Sequence, residues 1–188
     1  MTAALLLSGK LRFVSAAGDS SEYDRERDVW LRLEPKRLLE QCREERYRAS
    51  GPGGQRRNKV ETAVRLRHLP TEIVSQAEEA RSLAENRKCA VRRLRERIAL
   101  KCRAPFDLAQ PAPAREFFEH RRNGSLAINQ RNESYPVVVA TVLDALVASG
   151  GSFARAARAL GITTSQLVRF LEADRELWRA VETVRKIK

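Results

Sequence analysis

Apolar and polar side chains alternate along the middle of the chain in a way that predicts a β-hairpin. Residues 63–69 alternate well enough for a half-buried strand. Residues 70–72 are Pro, Thr and Glu, a composition typical of a turn, and residues 73–77 are the predicted returning strand.

A long amphipathic helix is predicted after this hairpin. Ser82 and Glu85 have the spacing of a capping box, in which each side chain bonds a free backbone amide at the helix start. The apolar positions that recur at helical spacing are Leu83, Ala90, Val91, Leu94, Ile98 and Cys102. The other face carries the cations Arg87, Lys88, Arg92, Arg93, Arg95, Arg97 and Lys101. Such a face is usually solvated, and contact with RNA is the alternative.

Upstream of the hairpin the pattern is weaker. Residues 1–27 have no sustained period, which predicts a mobile leader with a short strand at residues 11–14. Pro35 suits a first helical position, and Leu38 follows at helical spacing. A short helix is therefore expected there, and it leads into a strand over residues 42–48.

The composition changes at residues 105–114, a stretch rich in proline and alanine that predicts a linker. Beyond it, Phe117 and Phe118 are expected to begin the packing of a second module. Residues 121–124 are expected to form a loop.

The rest of this second module has the pattern of consecutive helices. Ser152 and Thr163 suit the N-caps of two neighbouring helices, and Gly161 lies in the turn between them. The residues that resemble a helix-turn-helix of bacterial DNA-binding proteins are Ala156, Ala157, Leu160, Gly161, Ile162 and Leu167. The motif can also serve only as a compact three-helix packing unit.

Together these patterns predict an α+β protein made of four segments. Residues 1–27 are the leader, and residues 28–104 are a small mixed α/β domain with a β-hairpin and a long C-terminal helix. Residues 105–114 are the linker, and residues 115–188 are a small all-helical module that resembles a helix-turn-helix.

The charge of the chain indicates a polyanionic partner. The net charge is +12, and residues 36–104 alone hold 19 Lys and Arg against 9 Asp and Glu. This excess favours nucleic acid over a membrane surface. The three cysteines are too widely spaced for a zinc site, and no apolar stretch approaches the length of a membrane span. We therefore expect a cytoplasmic monomer with no metal, no cofactor and no membrane association.

The connection between the two predicted strands has an unusual sequence, RASGPGGQRRNK, over residues 48–59. Three glycines and a proline in four consecutive positions exclude the interior of a helix or strand. The cations in and beside this connection are Arg46, Arg48, Arg56, Arg57 and Lys59. A loop with a positive base suits insertion into a polyanion, and a glycine-rich surface turn is the alternative.

The longer string RASGPGGQRRNKVETAVRLRHLPTEIV resembles the catalytic domain of bacterial class I peptide-chain release factors, whose GGQ loop enters the ribosomal peptidyl transferase centre. The resemblance runs from about Arg43 to Leu100. It departs at Arg56 and Arg57, where the family usually has His and Val, and at Leu83, where Gln is common.

The resemblance implies that Gly53, Gly54 and Gln55 are catalytic. The backbone amide of Gln55 would stabilise the oxyanion formed when water attacks the ester of peptidyl-tRNA, and the tRNA ribose and rRNA would supply the proton-transfer group. The residues implied to bind rRNA or tRNA are Arg48, Ser50, Gly51, Arg56, Arg57, Asn58, Lys59 and Arg65. The implied partners are peptidyl-tRNA and the ribosome, at the large-subunit rRNA of the peptidyl transferase centre.

The histidines do not suggest a catalytic base. Neither His68 nor His120 has the spacing of a nucleophile triad, and His68 lies in a predicted strand, where a packing or hydrogen-bonding role is expected.

Codon-reading release factors carry additional domains, for which 188 residues leave no room. We therefore expect codon-independent, ribosome-dependent hydrolysis of peptidyl-tRNA, as in the short GGQ hydrolases that rescue stalled ribosomes. Those hydrolases end in a flexible basic tail, whereas here residues 185–188 follow a folded module.

Two alternatives stay open. The first alternative is a ribosome- or RNA-binding adaptor whose GGQ loop no longer catalyses. The second is a DNA-binding protein that acts through the helix-turn-helix. The intact GGQ sequence argues against the adaptor, since a decayed site is free to lose it.

Overall fold

A computed structural model describes residues 3–4, 13–14, 20–48 and 60–186. The helices are α1 (Ser20–Arg32), α2 (Pro35–Glu40), α3 (Leu83–Lys101), α4 (Arg115–His120), α5 (Tyr135–Ala148), α6 (Phe153–Leu160), α7 (Thr164–Glu172) and α8 (Arg175–Arg185). The strands are β1 (Ala3–Ala4), β2 (Phe13–Val14), β3 (Cys42–Tyr47), β4 (Ala63–His68), β5 (Val74–Ala77), β6 (Arg121–Arg122) and β7 (Ser125–Leu126). This content confirms the predicted α+β class.

The strands β3, β4 and β5 form an antiparallel sheet in that order. The predicted alternation of β4 is confirmed, because Val64 and Leu66 are buried while Arg65 and Arg67 are exposed. The buried face packs on α3, where the Ser75 hydroxyl of β5 donates a hydrogen bond of 2.8 Å to a main-chain carbonyl of the helix. The apolar helix residues that are buried are Ala90, Val91, Leu94, Ile98 and Ala99, with Cys102 just beyond its end. This packing gives β3 and β4 a rigid support.

Residue contacts divide the chain into two compact units, one of residues 32–98 and one that combines residues 1–31 with residues 99–188. Helix α1, as far as Leu31, and the end of α3 therefore belong with the C-terminal helices. The functional division at residues 28–104 and 115–188 stays a prediction.

Helix α5 forms the centre of the second unit. Apart from Thr141 and Asp144 it is apolar on every side, and it is almost entirely buried, as expected for a helix with neighbours all round. Its neighbours along the chain are α4 and α6, and α8 also packs on it. At 14 residues it is far below the ~20 that a membrane span needs. Across the described ranges, no helix is both long and apolar enough to span a bilayer.

The backbone is helical from Ser20, within the predicted leader of residues 1–27, and that leader stays a prediction. One expectation about local structure was wrong. The predicted loop at residues 121–124 begins a short hairpin of β6 and β7. Its turn residues Asn123 and Gly124 have φ of 49° and 71°, the left-handed backbone that two-residue hairpin turns require and that Asn-Gly adopts readily. The second module is therefore helical apart from this hairpin.

Candidate functional site

The predicted catalytic segment is carried by two paired strands. The register of β3 and β4 ends at the pair Tyr47 and Ala63, so the chain leaves the sheet after Tyr47 and enters it again at Ala63. Just beyond, the Arg48 guanidinium lies 3.8 Å from the carboxylate of Glu61, and both side chains are more than half exposed. We call β3, β4 and the flanking residues Arg48 and 60–62 the stem.

Most of the predicted site residues lie outside the described residues. They are Ser50, Gly51, Gly53, Gly54, Gln55, Arg56, Arg57, Asn58 and Lys59. Of the predicted site residues, Arg48 and Arg65 are described, and both belong to the stem. The structure therefore describes the stem on either side of the predicted catalytic residues.

A buried amide holds the downstream end of the stem. The Asn86 side chain is 1% exposed, and its Nδ2 donates to the main-chain oxygens of Thr62, at 2.8 Å, and Ala80, at 2.9 Å. Its Oδ1 accepts from the Ala80 amide at 2.9 Å. Since α3 begins at Leu83, Asn86 in its first turn ties the residue before β4 to the start of the helix. Sequence analysis missed Asn86, whose signal was a polar residue four positions before Ala90 on the apolar face of the helix.

An ion pair holds the upstream strand. The Arg87 guanidinium donates two hydrogen bonds, of 2.8 and 2.7 Å, to the Glu44 carboxylate on β3. Arg46 donates a third, of 3.0 Å. The bond from Arg87 contributes most to holding the pKa of Glu44 below its usual value. A two-bond contact of this kind fixes orientation as well as distance, so β3 and α3 are joined beside the stem.

Arg65 is held on the solvent face of the sheet. Its guanidinium lies 5.5 Å from the centre of the Tyr47 ring, and 3.8 Å from the Glu45 carboxylate. The Tyr47 hydroxyl donates a hydrogen bond of 3.0 Å to Glu78. Burial, and then this bond, raise the pKa of Tyr47. Arg65 remains about half exposed beside Glu45 and Tyr47, and its predicted role in binding RNA stays a prediction.

Most cations of the predicted basic face of α3 bond to other groups of the protein. Arg93 lies 2.7 Å from Glu79 and donates to the Gln76 carbonyl at 2.8 Å. Arg97 bonds the carbonyl of Val74. Arg95 bonds the carbonyl of Leu33 and Arg87 holds Glu44, so four of the seven predicted cations fasten the helix to its neighbours. The remaining three, Lys88, Arg92 and Lys101, are exposed.

The described stem holds no group that suits acid-base catalysis near neutral pH. His68 pairs with Cys42 at the end of the sheet opposite the Tyr47 pair. Burial lowers the pKa of His68 to about 4, and its Nδ1 lies 2.8 Å from the Thr71 hydroxyl, which confirms its predicted hydrogen-bonding role. Burial raises the pKa of Cys42 to about 11, so its thiol is protonated. The stem supplies position and charge instead of a base.

Comparison with known proteins agrees with this geometry. Residues 37–136 match the RF-1 domain, and this range includes the whole stem, the GGQ segment and α3. The chain belongs to the RF-1 domain family. The predicted resemblance to class I release factors is therefore confirmed. Helices α6, α7 and α8 lie outside the range matched to the RF-1 domain.

Several release factors are similar to this RF-1 domain. Peptide chain release factor 1 of Lacticaseibacillus casei is 32% identical over 126 residues, which are 65% of this chain and 31% of the relative. Peptide chain release factor 1 of Thermotoga maritima is 35% identical over 108 residues, 57% of this chain and 28% of the relative. Peptide chain release factor 2 of Acidovorax sp. strain JS42 is 54% identical over 56 residues, 30% of this chain and 15% of the relative. The chain thus spans less than a third of the length of these relatives.

Proposed function

We propose that this protein promotes hydrolysis of the ester bond of peptidyl-tRNA on the ribosome, through Gly53, Gly54 and Gln55. The observation that carries the proposal is the GGQ sequence inside the RF-1 match, set on a stem that the buried Asn86 anchors. The names of the similar proteins, peptide chain release factors, support the same reaction class.

The chemistry divides between protein and ribosome. Water attacks the ester carbonyl, the carbonyl oxygen takes up the negative charge, and the ribose oxygen of the tRNA leaves as the bond breaks. The backbone amide of Gln55 donates to the developing oxyanion, and a donor of this kind contributes about a hundredfold to a thousandfold in rate. The proton passes between water and the leaving ribose oxygen through RNA groups, since the described stem has no base that titrates near pH 7.

The glycines before Gln55 have a separate role. Without a Cβ, Gly53 and Gly54 leave the backbone free to adopt left-handed angles and to approach RNA closely. We further propose that release does not depend on a codon, in keeping with the resemblance to the short GGQ hydrolases that rescue stalled ribosomes. A cytoplasmic monomer that binds large-subunit rRNA is part of the same proposal.

The test uses bacterial ribosomes that carry labelled peptidyl-tRNA, with a stop codon, a sense codon or no mRNA codon in the A site. Gln55→Pro removes the backbone donor, while Gln55→Ala keeps it and removes only the side chain. We expect release to fall by at least about a hundredfold in Gln55→Pro and by less in Gln55→Ala. Gln110→Pro, the same change at an exposed position in the proline-rich segment, is the matched control.

Two results would contradict the proposal. Release by Gln55→Pro at the wild-type rate would remove the loop from the reaction and leave the adaptor as the function. Release only with a stop codon would keep the chemistry and overturn codon independence.

A further inference from the structure

The second compact unit contains a helix-turn-helix with well-defined ends. Ser152 Oγ accepts from the Arg155 amide at the start of α6, and Thr163 Oγ1 accepts from the Gln166 amide at the start of α7. Between the helices, Gly161 has φ of 64°, and Ile162, 8% exposed, packs into the core. Both helices are therefore fixed by caps and by a buried turn residue, which gives α7 one defined exposed face.

The hairpin of β6 and β7 is attached to this motif. The Gly124 carbonyl accepts from the Thr163 amide at 3.3 Å, and the Ser125 hydroxyl lies 3.3 Å from Oε1 of Gln166. Arg121 donates to the Leu160 carbonyl at 3.2 Å, at the end of α6. The turn of the hairpin thus lies beside the first turn of α7. Arg122, the residue just before this turn, is exposed.

The charge of this region is of one sign. Residues 120–132 and 145–171 contain six arginines and no Asp or Glu. Five of these arginines are exposed, and within the described ranges none of the five takes part in an ion pair: Arg122, Arg131, Arg155, Arg158 and Arg169. In contrast, all five arginines of α3 lie at carboxylates or carbonyls, including Arg92, which is 3.9 Å from the Glu96 carboxylate. The hairpin and the two helices therefore present a cationic surface without internal neutralisation, the charge pattern of a nucleic-acid contact.

The exposed face of α7 has side chains that can contact base edges. Thr164, Ser165 and Arg169 are exposed, and Val168 lies between them on the same face at helical spacing. Hydroxyl groups bond either partner of a base pair, an arginine makes a two-bond contact with guanine, and a small apolar group contacts the thymine methyl.

The helix-turn-helix is better suited to a DNA duplex than to an RNA duplex, because the two duplexes have different major grooves. The major groove of B-form DNA is about 12 Å wide and admits an α-helix, whereas the major groove of A-form RNA is too deep and narrow for side chains to be used there. We propose that the surface formed by α6, α7 and the hairpin of β6 and β7 binds B-form DNA, with α7 in the major groove and Arg122 on the backbone. This second nucleic-acid site is separate from the GGQ segment and does not depend on its activity.

The experiment measures binding of the full chain to a mixed-sequence DNA duplex of about 24 base pairs, a little over two turns of the helix, and to the RNA duplex of the same sequence. Fluorescence anisotropy at several salt concentrations gives the affinities. The basic residues 36–104 are expected to attract any nucleic acid. The proposal is therefore tested by comparing variants of the chain. Arg169→Ala removes a charge from α7, and Arg81→Ala removes an equal charge from an exposed position just before α3. Both positions are exposed, and thermal unfolding followed by circular dichroism verifies that both variants fold.

We expect tighter binding to DNA than to RNA, and a loss of DNA affinity of about tenfold in Arg169→Ala that exceeds the loss in Arg81→Ala. Arg122→Ala should lower the slope of log K against log salt by about one, as expected when one phosphate is no longer neutralised. Equal affinity for the two duplexes, or equal losses in Arg169→Ala and Arg81→Ala, would overturn the proposal. Gln55→Pro should bind DNA like the wild type, so failure of peptide release and failure of DNA binding are distinguishable.

Discussion

Arg27 of α1 and Asp144 of α5 form a buried ion pair, with Nη1 of the arginine 2.6 Å from Oδ2 of the aspartate. Both residues are at most 4% exposed. The other carboxylate oxygen accepts from the Ala104 amide at 3.1 Å and lies 3.4 Å from the buried Arg103 guanidinium. A single carboxylate therefore holds two cations and the chain that follows α3.

The first prediction is that Asp144→Ala destabilises the protein by about 3–5 kcal/mol, because it leaves two buried guanidinium groups without this counter-charge. Burial already lowers the pKa of Arg103 to about 10, against the opposing effect of Asp144. Urea unfolding measures the change. The control Asp107→Ala removes an exposed aspartate, and equal stabilities of the two variants would show that the pair contributes nothing.

The second prediction concerns the anchor of the stem. Asn86→Ala leaves the partly buried amide and carbonyl of Ala80 and the carbonyl of Thr62 without this partner, and should cost about 1–3 kcal/mol of stability. If Asn86 positions the GGQ segment, the maximal rate of peptide release on ribosomes falls even when the folded variant is saturating. Lys88→Ala, an exposed change on the same helix, is the control. A maximal rate equal to that of wild type would show that Asn86 contributes to stability but does not position the GGQ segment.

The third prediction concerns Arg56 and Arg57. Replacing both by alanine should weaken binding to ribosomes and lower the slope of log K against log salt by up to about two, one for each phosphate that is no longer neutralised. Sedimentation with ribosomes at several salt concentrations measures the slope. The pair Arg155→Ala with Arg158→Ala removes the same charge from α6. An unchanged slope in the first double variant would mean that Arg56 and Arg57 do not bind phosphates.

The fourth prediction is a pH dependence of stability from His68. Its pKa falls from about 6.5 in the unfolded chain to about 4 in the fold, so the unfolded state binds the proton more tightly. The stability is complete above pH 6.5 and decreases as the pH falls to 4, by up to about 3 kcal/mol at about 1.4 kcal/mol for each pKa unit. Urea unfolding across this range should show a shallower decrease for His68→Gln than for wild type. The control His120→Gln should leave the wild-type decrease unchanged, and the idea fails if both variants behave alike.

The fifth prediction compares two glycines with the same backbone. Gly150 and Gly161 have φ of 65° and 64°, so alanine at either is strained by about 1–2 kcal/mol. A Cβ at Gly150 meets nothing within 4 Å, whereas one at Gly161 lies 2.2 Å from the Arg121 guanidinium. We therefore expect Gly161→Ala to unfold at lower urea than Gly150→Ala, because the arginine must leave the Leu160 carbonyl. Equal midpoints would show that Arg121 moves without cost.

The local elements of the stem and of the helix-turn-helix could be predicted from sequence patterns alone. Alternation over residues 63–69 was sufficient for β4, because a strand with one buried face repeats every two residues. Ser152 and Thr163 were sufficient for the starts of α6 and α7, because a cap bonds an amide only three positions away. The family could also be recognised from the sequence, because the GGQ segment and the residues around it are continuous in the chain.

Which polar groups are buried, and which residues they contact, depends on how the elements pack in the fold. Asn86 meets Thr62 across 24 positions, and Arg27 meets Asp144 across 117, separations at which a periodic pattern carries no information. The same is true of the α3 arginines, which look solvated in sequence but bond to the sheet and to Glu44. Helix and strand periods arise from local backbone geometry, whereas partners of buried charges depend on how distant elements pack.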